Sequence, residues 1–110
     1  MKIPTRRFGR TNLEMPVLSL GGMRFQKSWD QLNFDDISVK EQNKVEKILQ
    51  KANKYGLSHI ETAKYYGTSE IQLGEGFKNI NQVPRILQTK IPPNIDPEIL
   101  RYLNETEEAV

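Results

Sequence analysis

The sequence predicts an α/β fold in which helices connect the strands of a parallel sheet. A short amino-terminal hairpin is followed by strand-like runs that alternate with helical stretches, three of each. Turn and cap residues separate these segments. From these residues alone, the order fits either a doubly wound sheet or the opening of a (β/α)8 barrel. A length of 110 residues suits one domain at most, and three strands do not close a barrel.

The first part of the chain predicts a hairpin, a strand and a loop. Residues 6–16 form the hairpin, with turn chemistry at residues 9–12. The apolar run at residues 17–20 predicts a buried strand, because it is short and is closed by Gly21 and Gly22. A polar stretch over residues 21–37 fits either a functional loop or a surface loop pinned by its aromatic residues. These aromatic residues are Phe25, Trp29 and Phe34.

Residues 38–55 give the clearest helical pattern in the chain. Gly56 follows, in position for a left-handed cap. The predicted apolar face consists of residues at helical spacing, which are Val45, Ile48, Leu49, Ala52 and Tyr55.

Two more strands are predicted, over residues 58–61 and 85–89. The helix between them is predicted to begin with a capping box formed by Ser69 and Gln72. Its apolar contacts are expected from Ile71, Leu73 and Phe77. A last helix is predicted after the break at residues 92–93, with Asp96 as its cap and Pro97 in its first position. Its apolar face would consist of Ile99, Leu100 and Leu103.

Composition narrows the functional classes. The absence of cysteine excludes disulfides, thiolate metal sites and a cysteine nucleophile in this chain, and no metal site is expected. The net charge of +2 is too balanced to indicate nucleic acid, and the basic residues look dispersed apart from Arg6, Arg7 and Arg10. No signal peptide and no apolar run of about 20 residues are visible. We therefore expect a cytoplasmic protein without a nucleic-acid or membrane partner.

Three polar residues are predicted to meet at one edge of the sheet. Glu61 ends a strand, Tyr66 lies in the loop that follows, and Lys90 comes just after the next strand. The carboxyl ends of parallel strands share the edge where α/β active sites form. A free tyrosine has a pKa of about 10, and an adjacent ammonium lowers it by stabilising the phenolate. Such a tyrosine can act as a general acid toward a carbonyl oxygen.

Other candidates have a structural interpretation. Gly74 and Gly76 lie within a predicted helix and lack the spacing of a dinucleotide fingerprint, so close helix packing is expected there. His59 is the one histidine of the chain and precedes its strand end by two residues. A hydrogen-bonded structural histidine is the expected role.

Residues 61–74 resemble the aldo-keto reductase signature. The shared pattern is an acidic residue, Thr-Ala, two variable residues and Tyr-Gly, then Ser-Glu and Leu-Gly. Residues 6–13 and 18–23 resemble the hairpin and first strand of this family, and residues 87–90 resemble its third strand with the catalytic lysine. The likeness covers about the first ninety residues, with three motifs in the same order.

The resemblance implies NADPH-dependent reduction of an aldehyde or ketone on a (β/α)8 barrel. Tyr66 would protonate the carbonyl oxygen, Lys90 would tune Tyr66, and Glu61 stands where the family usually has aspartate. Some iron–sulfur-associated members of the family also carry this glutamate. Cofactor contacts would come from Gly22, Met23, Arg24 and Glu61. The loop over residues 25–34 would border the substrate pocket.

Length limits what the resemblance implies. A (β/α)8 barrel needs about 250 residues, so residues 1–110 are expected to form one truncated domain, the hairpin plus about three βα units. The family's catalytic histidine and most groups that hold the NADP phosphates would lie beyond Val110. The alternative function is a non-catalytic fragment that self-associates or binds a partner through its open sheet edges.

Overall fold

The computed structural model describes residues 1–30, 32–92, 97, 98 and 101. An amino-terminal hairpin is followed by alternating strands and helices, so the predicted α/β class is confirmed. The strands are β1 (Thr5–Arg7), β2 (Glu14–Pro16), β3 (Leu20–Gly21), β4 (His59–Glu61) and β5 (Ile86–Gln88). The helices are α1 (Val39–Tyr55) and α2 (Ser69–Ile80), and two 3₁₀ turns are formed by Met23–Phe25 and Phe34–Asp36.

The hairpin is the predicted antiparallel pair of β1 and β2. Gly9 lies in its turn with a φ of 56°, a conformation that glycine adopts without steric cost. The segment before β1 is attached to the end of α1. Ile3 donates its N–H to the Tyr55 carbonyl at 2.8 Å, and the Lys2 ammonium donates to the Lys54 carbonyl at 2.9 Å. The hairpin is therefore attached to the carboxyl-terminal end of α1.

The sheet is parallel, in the order β3-β4-β5. The predicted first strand was placed too early, because only Leu20 of residues 17–20 belongs to β3. Val17 donates its N–H to the Pro4 carbonyl and so still belongs to the hairpin end. Val17 and Leu18 are 52% and 59% exposed, against the expectation that they are buried. The second and third strands match the prediction within two residues at each end.

Helix α1 begins and ends as its sequence predicts. The Ser38 hydroxyl accepts the Glu41 N–H as an amino-terminal cap, and Gly56 closes the helix with a φ of 77°. Its buried face is rotated from the predicted one, because Gln42 is buried whereas Ile48 and Tyr55 are about 40% exposed. The Gln42 side-chain amide donates to a carbonyl of α2, which lets a polar residue occupy the helix interface.

The capping box predicted at the start of α2 is wrong. Ser69 is the first helical residue rather than the cap, and its hydroxyl donates to the Gly22 carbonyl at 2.8 Å. Gln72 does not reach back to the backbone, because its side-chain oxygen accepts from the Thr68 hydroxyl at 2.6 Å. The predicted contacts of Leu73 and Phe77 are confirmed, whereas Ile71 is 38% exposed.

The core lies between the two helices and the sheet. It is a cluster of six buried apolar residues, which are Phe25, Val45, Leu49, Ile60, Leu73 and Phe77. Phe25 is 7% exposed and pins the long loop, whereas Trp29 is 63% exposed. The interpretation of this loop as a segment pinned by aromatics therefore holds for Phe25 and fails for Trp29.

The predicted last helix falls only partly on residues that the structure describes. Pro97, Glu98 and Arg101 are helical. The proposed cap Asp96 and the apolar face of Ile99, Leu100 and Leu103 lie outside the described residues. Within the described ranges, no helix combines the length and apolar character needed to cross a bilayer.

The two glycines inside α2 have different surroundings. A Cβ at Gly76 would lie 2.7 Å from a terminal methyl of Leu49, so the expected close packing holds there. A Cβ at Gly74 would meet nothing within 4 Å. Only Gly76 therefore serves the contact between α1 and α2.

We predict opposite packing effects for two matched substitutions. Gly74→Ala gains helix propensity in open space and should raise the free energy of unfolding by up to about 1 kcal/mol. Gly76→Ala gains the same propensity but forces the terminal methyl of Leu49 to shift within the core, at a cost of about 1–3 kcal/mol. Urea unfolding followed by circular dichroism should rank G74A as the more stable variant. Equal stability of the two variants would contradict this description of the helix interface.

Candidate functional site

Glu61, Tyr66 and Lys90 meet at the carboxyl edge of the sheet. Glu61 is the last residue of β4, and Lys90 follows the end of β5 by two residues. Tyr66 lies in the loop between β4 and α2. The parallel register pairs Glu61 with Gln88, so both strands end at the same level. The structure thus brings together the three residues that the sequence predicted to meet.

The Lys90 ammonium is the centre of this group. It donates to the Glu61 carboxylate, to the Tyr66 hydroxyl oxygen at 3.0 Å and to the Thr62 carbonyl at 3.3 Å. An ammonium has three N–H donors, so all of them have an acceptor here. Because Tyr66 accepts from Lys90, its own O–H proton remains available to another acceptor.

Charge is balanced within the group and open to solvent. The hydrogen bond to Glu61, and then the one to Tyr66, raise the pKa of Lys90 above its ordinary value, against a smaller opposing effect of desolvation. The side chains of Lys90 and Glu61 are 47% and 26% exposed. Lys90 therefore stays protonated throughout the neutral range, with its charge directed at the phenol.

The backbone around Tyr66 is held in a tight turn. The Tyr66 N–H donates to the Ala63 carbonyl at 3.0 Å, and the Tyr66 carbonyl accepts the Ser69 N–H at 2.9 Å. Gly67 follows with a φ of 52°, and a Cβ there would lie 1.6 Å from the Ser28 carbonyl oxygen. Only glycine lets the loop at Ser28 approach this closely.

A buried pair of hydroxyls ties the start of α2 to the loop after β3. The Ser69 hydroxyl has one proton and donates it to the Gly22 carbonyl at 2.8 Å. It must therefore accept from the Thr62 hydroxyl, which is 2.8 Å away. Gly22 in turn donates its N–H to the Glu61 carbonyl at 2.6 Å, and a Cβ at Gly22 would lie 2.7 Å from that oxygen.

A second buried hydroxyl holds the same loop further along. Thr68 is 0% exposed and accepts the Lys27 N–H at 2.7 Å, while it donates to Gln72. Residues 22–27 are thus attached at both ends to the segment that carries Tyr66. Sequence reasoning did not single out Thr62 or Thr68. The available signal was that hydroxyl residues flank the tyrosine on both sides.

Comparison with known proteins identifies the family of the chain. The sequence pattern of the aldo/keto reductase family matches residues 17–107. The chain belongs to the aldo/keto reductase family. This confirms the resemblance in the sequence motifs and indicates an oxidoreductase ancestry. None of the curated proteins matches the chain.

Two solved structures of aldo-keto reductases have a similar fold. A thermostable aldo-keto reductase, Tm1743, solved with the inhibitor epalrestat, is 27% identical with a TM-score of 0.62, covering 96% of this chain and 38% of its own. A Pseudomonas aeruginosa protein described as an aldo-keto reductase is 25% identical with a TM-score of 0.59, covering 79% of this chain and 32% of its own. The chain thus spans about a third of the length of the reductases it matches.

The residues predicted to contact the cofactor lie beside the Glu61–Lys90 pair. Gly22 is buried, and the 3₁₀ turn that it starts leaves Met23 and Arg24 exposed. The close approach of Gly22 to Glu61 places this turn at the carboxyl edge of the sheet. An exposed backbone turn therefore lies at the same sheet edge as the phenol and the ammonium.

The amino terminus of α2 does not fit the phosphate end. A helix amino terminus favours anions through its dipole and free N–H groups. Here its first turn carries Glu70, whose carboxylate accepts from the Thr89 hydroxyl at 2.6 Å. This negative charge disfavours a phosphate at α2. Over the described ranges, no group of three or more acidic or histidine side chains could hold a metal ion.

His59 has the structural surroundings expected for it. It is 7% exposed, and both ring nitrogens have partners across the sheet. Nδ1 lies 2.6 Å from the Ser19 hydroxyl and Nε2 lies 3.0 Å from the Gln88 side-chain oxygen. His59 therefore connects β4 to its neighbours on both sides.

We predict that Glu61 controls the protonation of Lys90. Glu61→Gln removes the largest cause of the raised pKa, so the pKa of Lys90 should fall toward the ordinary lysine value. An NMR titration of the Lys90 side chain in isotopically labelled protein measures this. Glu75→Gln, which removes a carboxylate from α2, is the matched control and should leave the titration of Lys90 unchanged. An unshifted Lys90 titration in E61Q would contradict the assignment.

Proposed function

We propose that this site reduces the carbonyl group of an aldehyde or ketone with NADPH, and that Tyr66 is the general acid. One observation carries the proposal, which is the hydrogen bond from the Lys90 ammonium to the Tyr66 oxygen. This contact leaves the Tyr66 proton free for a substrate oxygen. It also stabilises the phenolate that remains after the proton has been transferred.

Tyr66, Lys90 and Glu61 have separate roles in the proposed reaction. The hydride that reaches the carbonyl carbon would come from the dihydronicotinamide ring of the cofactor when it is bound. Tyr66 gives its O–H proton to the carbonyl oxygen, so the C=O bond becomes an alcohol. Lys90 holds the resulting phenolate, and Glu61 fixes Lys90 through their ion pair. The glutamate at position 61 supports this role, because its carboxylate makes that contact in the present backbone.

We infer that the cofactor ring lies against the turn after β3. Met23 and Arg24 are exposed there, and the buried hydroxyls of Thr62 and Ser69 hold the turn at a fixed distance from Tyr66. Trp29 is 63% exposed, and its Cα lies 2.9 Å from the position of a Cβ at Gly67. That position supports the role of residues 25–34 as one border of the substrate pocket.

We also infer that β3, β4 and β5 are the first three strands of a (β/α)8 barrel. Their parallel order, with a helix between successive strands, supports this. The remaining units would supply the family's histidine and the groups that bind the NADP phosphates. The negative first turn of α2 supports placing the phosphates elsewhere.

We predict that Tyr66→Phe lowers NADPH-dependent aldehyde turnover by about 10²–10⁴-fold, because general acids contribute on this scale. NADPH binding should persist in this variant, and quenching of Trp29 fluorescence measures it. Tyr65→Phe is the matched control on the neighbouring, 56% exposed tyrosine and should retain activity. Failure of the folded parent chain both to bind NADPH and to turn over an aldehyde would overturn the proposed function.

A second candidate function is association through the sheet. Leu87 pairs in register with Ile60 and points to the same face of the sheet. Ile60 is buried under the helices, whereas Leu87 is 51% exposed and Ile91 is 53% exposed. These apolar side chains favour a partner that covers β5, either a second copy or a chain that supplies further βα units.

We predict that Leu87→Lys weakens this association. Size-exclusion chromatography with light scattering should give a mass above that of a monomer for the parent chain and a smaller mass for L87K. Val39→Lys is the control, because Val39 is 76% exposed on α1, away from the sheet. A parent chain that stays monomeric at every concentration would rule out self-association and leave a different partner as the remaining form of this candidate.

A further inference from the structure

Helix α1 carries a regular row of lysines on its outer face. The row consists of Lys40, Lys44, Lys47, Lys51 and Lys54, which are all exposed. Their spacings alternate between four and three residues, so an α-helix places them within an arc of about 80° and along about 21 Å. The opposite face of α1 is buried against the core. Basic residues that look dispersed along the sequence are therefore aligned in the fold.

The acidic residues of α1 flank this row. Glu41 pairs with Lys44 at 3.1 Å, and Glu46 turns toward α2, where it accepts from the Asn79 amide at 2.6 Å. Asp35 and Asp36 precede the helix, so the positive charge is concentrated over its carboxyl-terminal half. Over the part of the chain that the structure describes, four lysines of the row make no ion pair with an acidic side chain. These are Lys40, Lys47, Lys51 and Lys54.

We propose that this lysine row docks the protein onto an anionic lipid surface. Groups of four to eight basic residues on a helix are typical of sites for anionic lipid headgroups. A straight row on a convex face allows all five ammonium groups to approach a plane together. The expectation of no membrane partner was based on the lack of a spanning segment and of a signal peptide, and neither feature is needed for peripheral binding through a charged surface.

The residues beside the row favour lipid over nucleic acid. Ile48 and Tyr55 are 41% and 40% exposed and lie on one flank of the row. A tyrosine ring with a polar tip suits the headgroup region of a bilayer. The row itself contains no arginine, which is the residue that binds phosphates and guanines in a bidentate way.

The proposed docking is peripheral and electrostatic. The apolar face of α1 is used by the core, so it does not insert into the bilayer. Binding should therefore weaken steeply with salt. The Glu61–Tyr66–Lys90 group lies at the carboxyl edge of the sheet rather than on the outer face of α1, so docking leaves it open. The proposal is independent of the proposed reductase function.

Vesicle co-sedimentation of the full chain tests the proposal. The protein should bind phosphatidylcholine vesicles that contain phosphatidylserine, and it should not bind vesicles of phosphatidylcholine alone. Each lysine near such a surface strengthens binding by roughly fivefold. The double variant K47E/K51E should therefore lose at least about tenfold in affinity. The new carboxylates lie one turn from Lys44 and Lys54, so the helix is retained, which circular dichroism checks.

A charge-matched variant distinguishes the effect of lysine position on binding from the effect of net charge. K78E/R10E makes the same change in net charge at two exposed sites off the row and should retain most of the binding. Equal losses in the two double variants would overturn the proposal, because binding would then follow net charge alone. Absence of binding to phosphatidylserine vesicles, or binding to a DNA duplex in its place, would overturn it as well.

Discussion

The Lys90 ammonium connects the three segments that form the candidate functional site. It joins the end of β4, the tyrosine loop and the segment after β5 through three acceptors, Glu61, Tyr66 and the Thr62 carbonyl. This arrangement depends on the parallel register, which places Gln88 opposite Glu61. Lys90 lies two residues beyond Gln88 and therefore reaches the same edge. A shift of β5 by one residue would point the lysine to the other face of the sheet.

A second constraint holds the loop after β3, where the cofactor contacts are predicted, against the loop that carries Tyr66. The buried hydroxyls of Thr68 and Ser69 bond to the backbone of the loop after β3, and Gly67 allows that loop to approach. Buried polar groups are costly to leave without partners, at about 1–3 kcal/mol each. The loop after β3 and the tyrosine loop therefore behave as one packed unit. Their relative position is set by these hydrogen bonds within the fold.

Strand ends could be predicted from the sequence, and for this reason Glu61, Tyr66 and Lys90 could be placed together. Local sequence patterns gave a wrong prediction at Ser69. A serine followed three residues later by glutamine is typical of a capping box, but the Ser69 hydroxyl bonds Gly22, which lies 47 residues earlier in the chain. Local signals cannot show a partner that distant. The prediction that Val17 and Leu18 belong to a buried strand was wrong for a related reason. Their apolar character did not reveal that the hairpin continues to Val17.

The two faces of α1 have different roles, because one is buried in the core and stabilises the fold while the other presents the lysines to solvent. Val45, Leu49 and Ala52 are buried on one face and hold the helix in the core. The helix therefore does not need ion pairs on its outer face, where neighbouring lysines repel one another only weakly in water. Net charge sums over the whole surface, whereas an approaching charged body responds to the local arrangement. A chain with a formal net charge of +2 can consequently present five ammonium groups in one line.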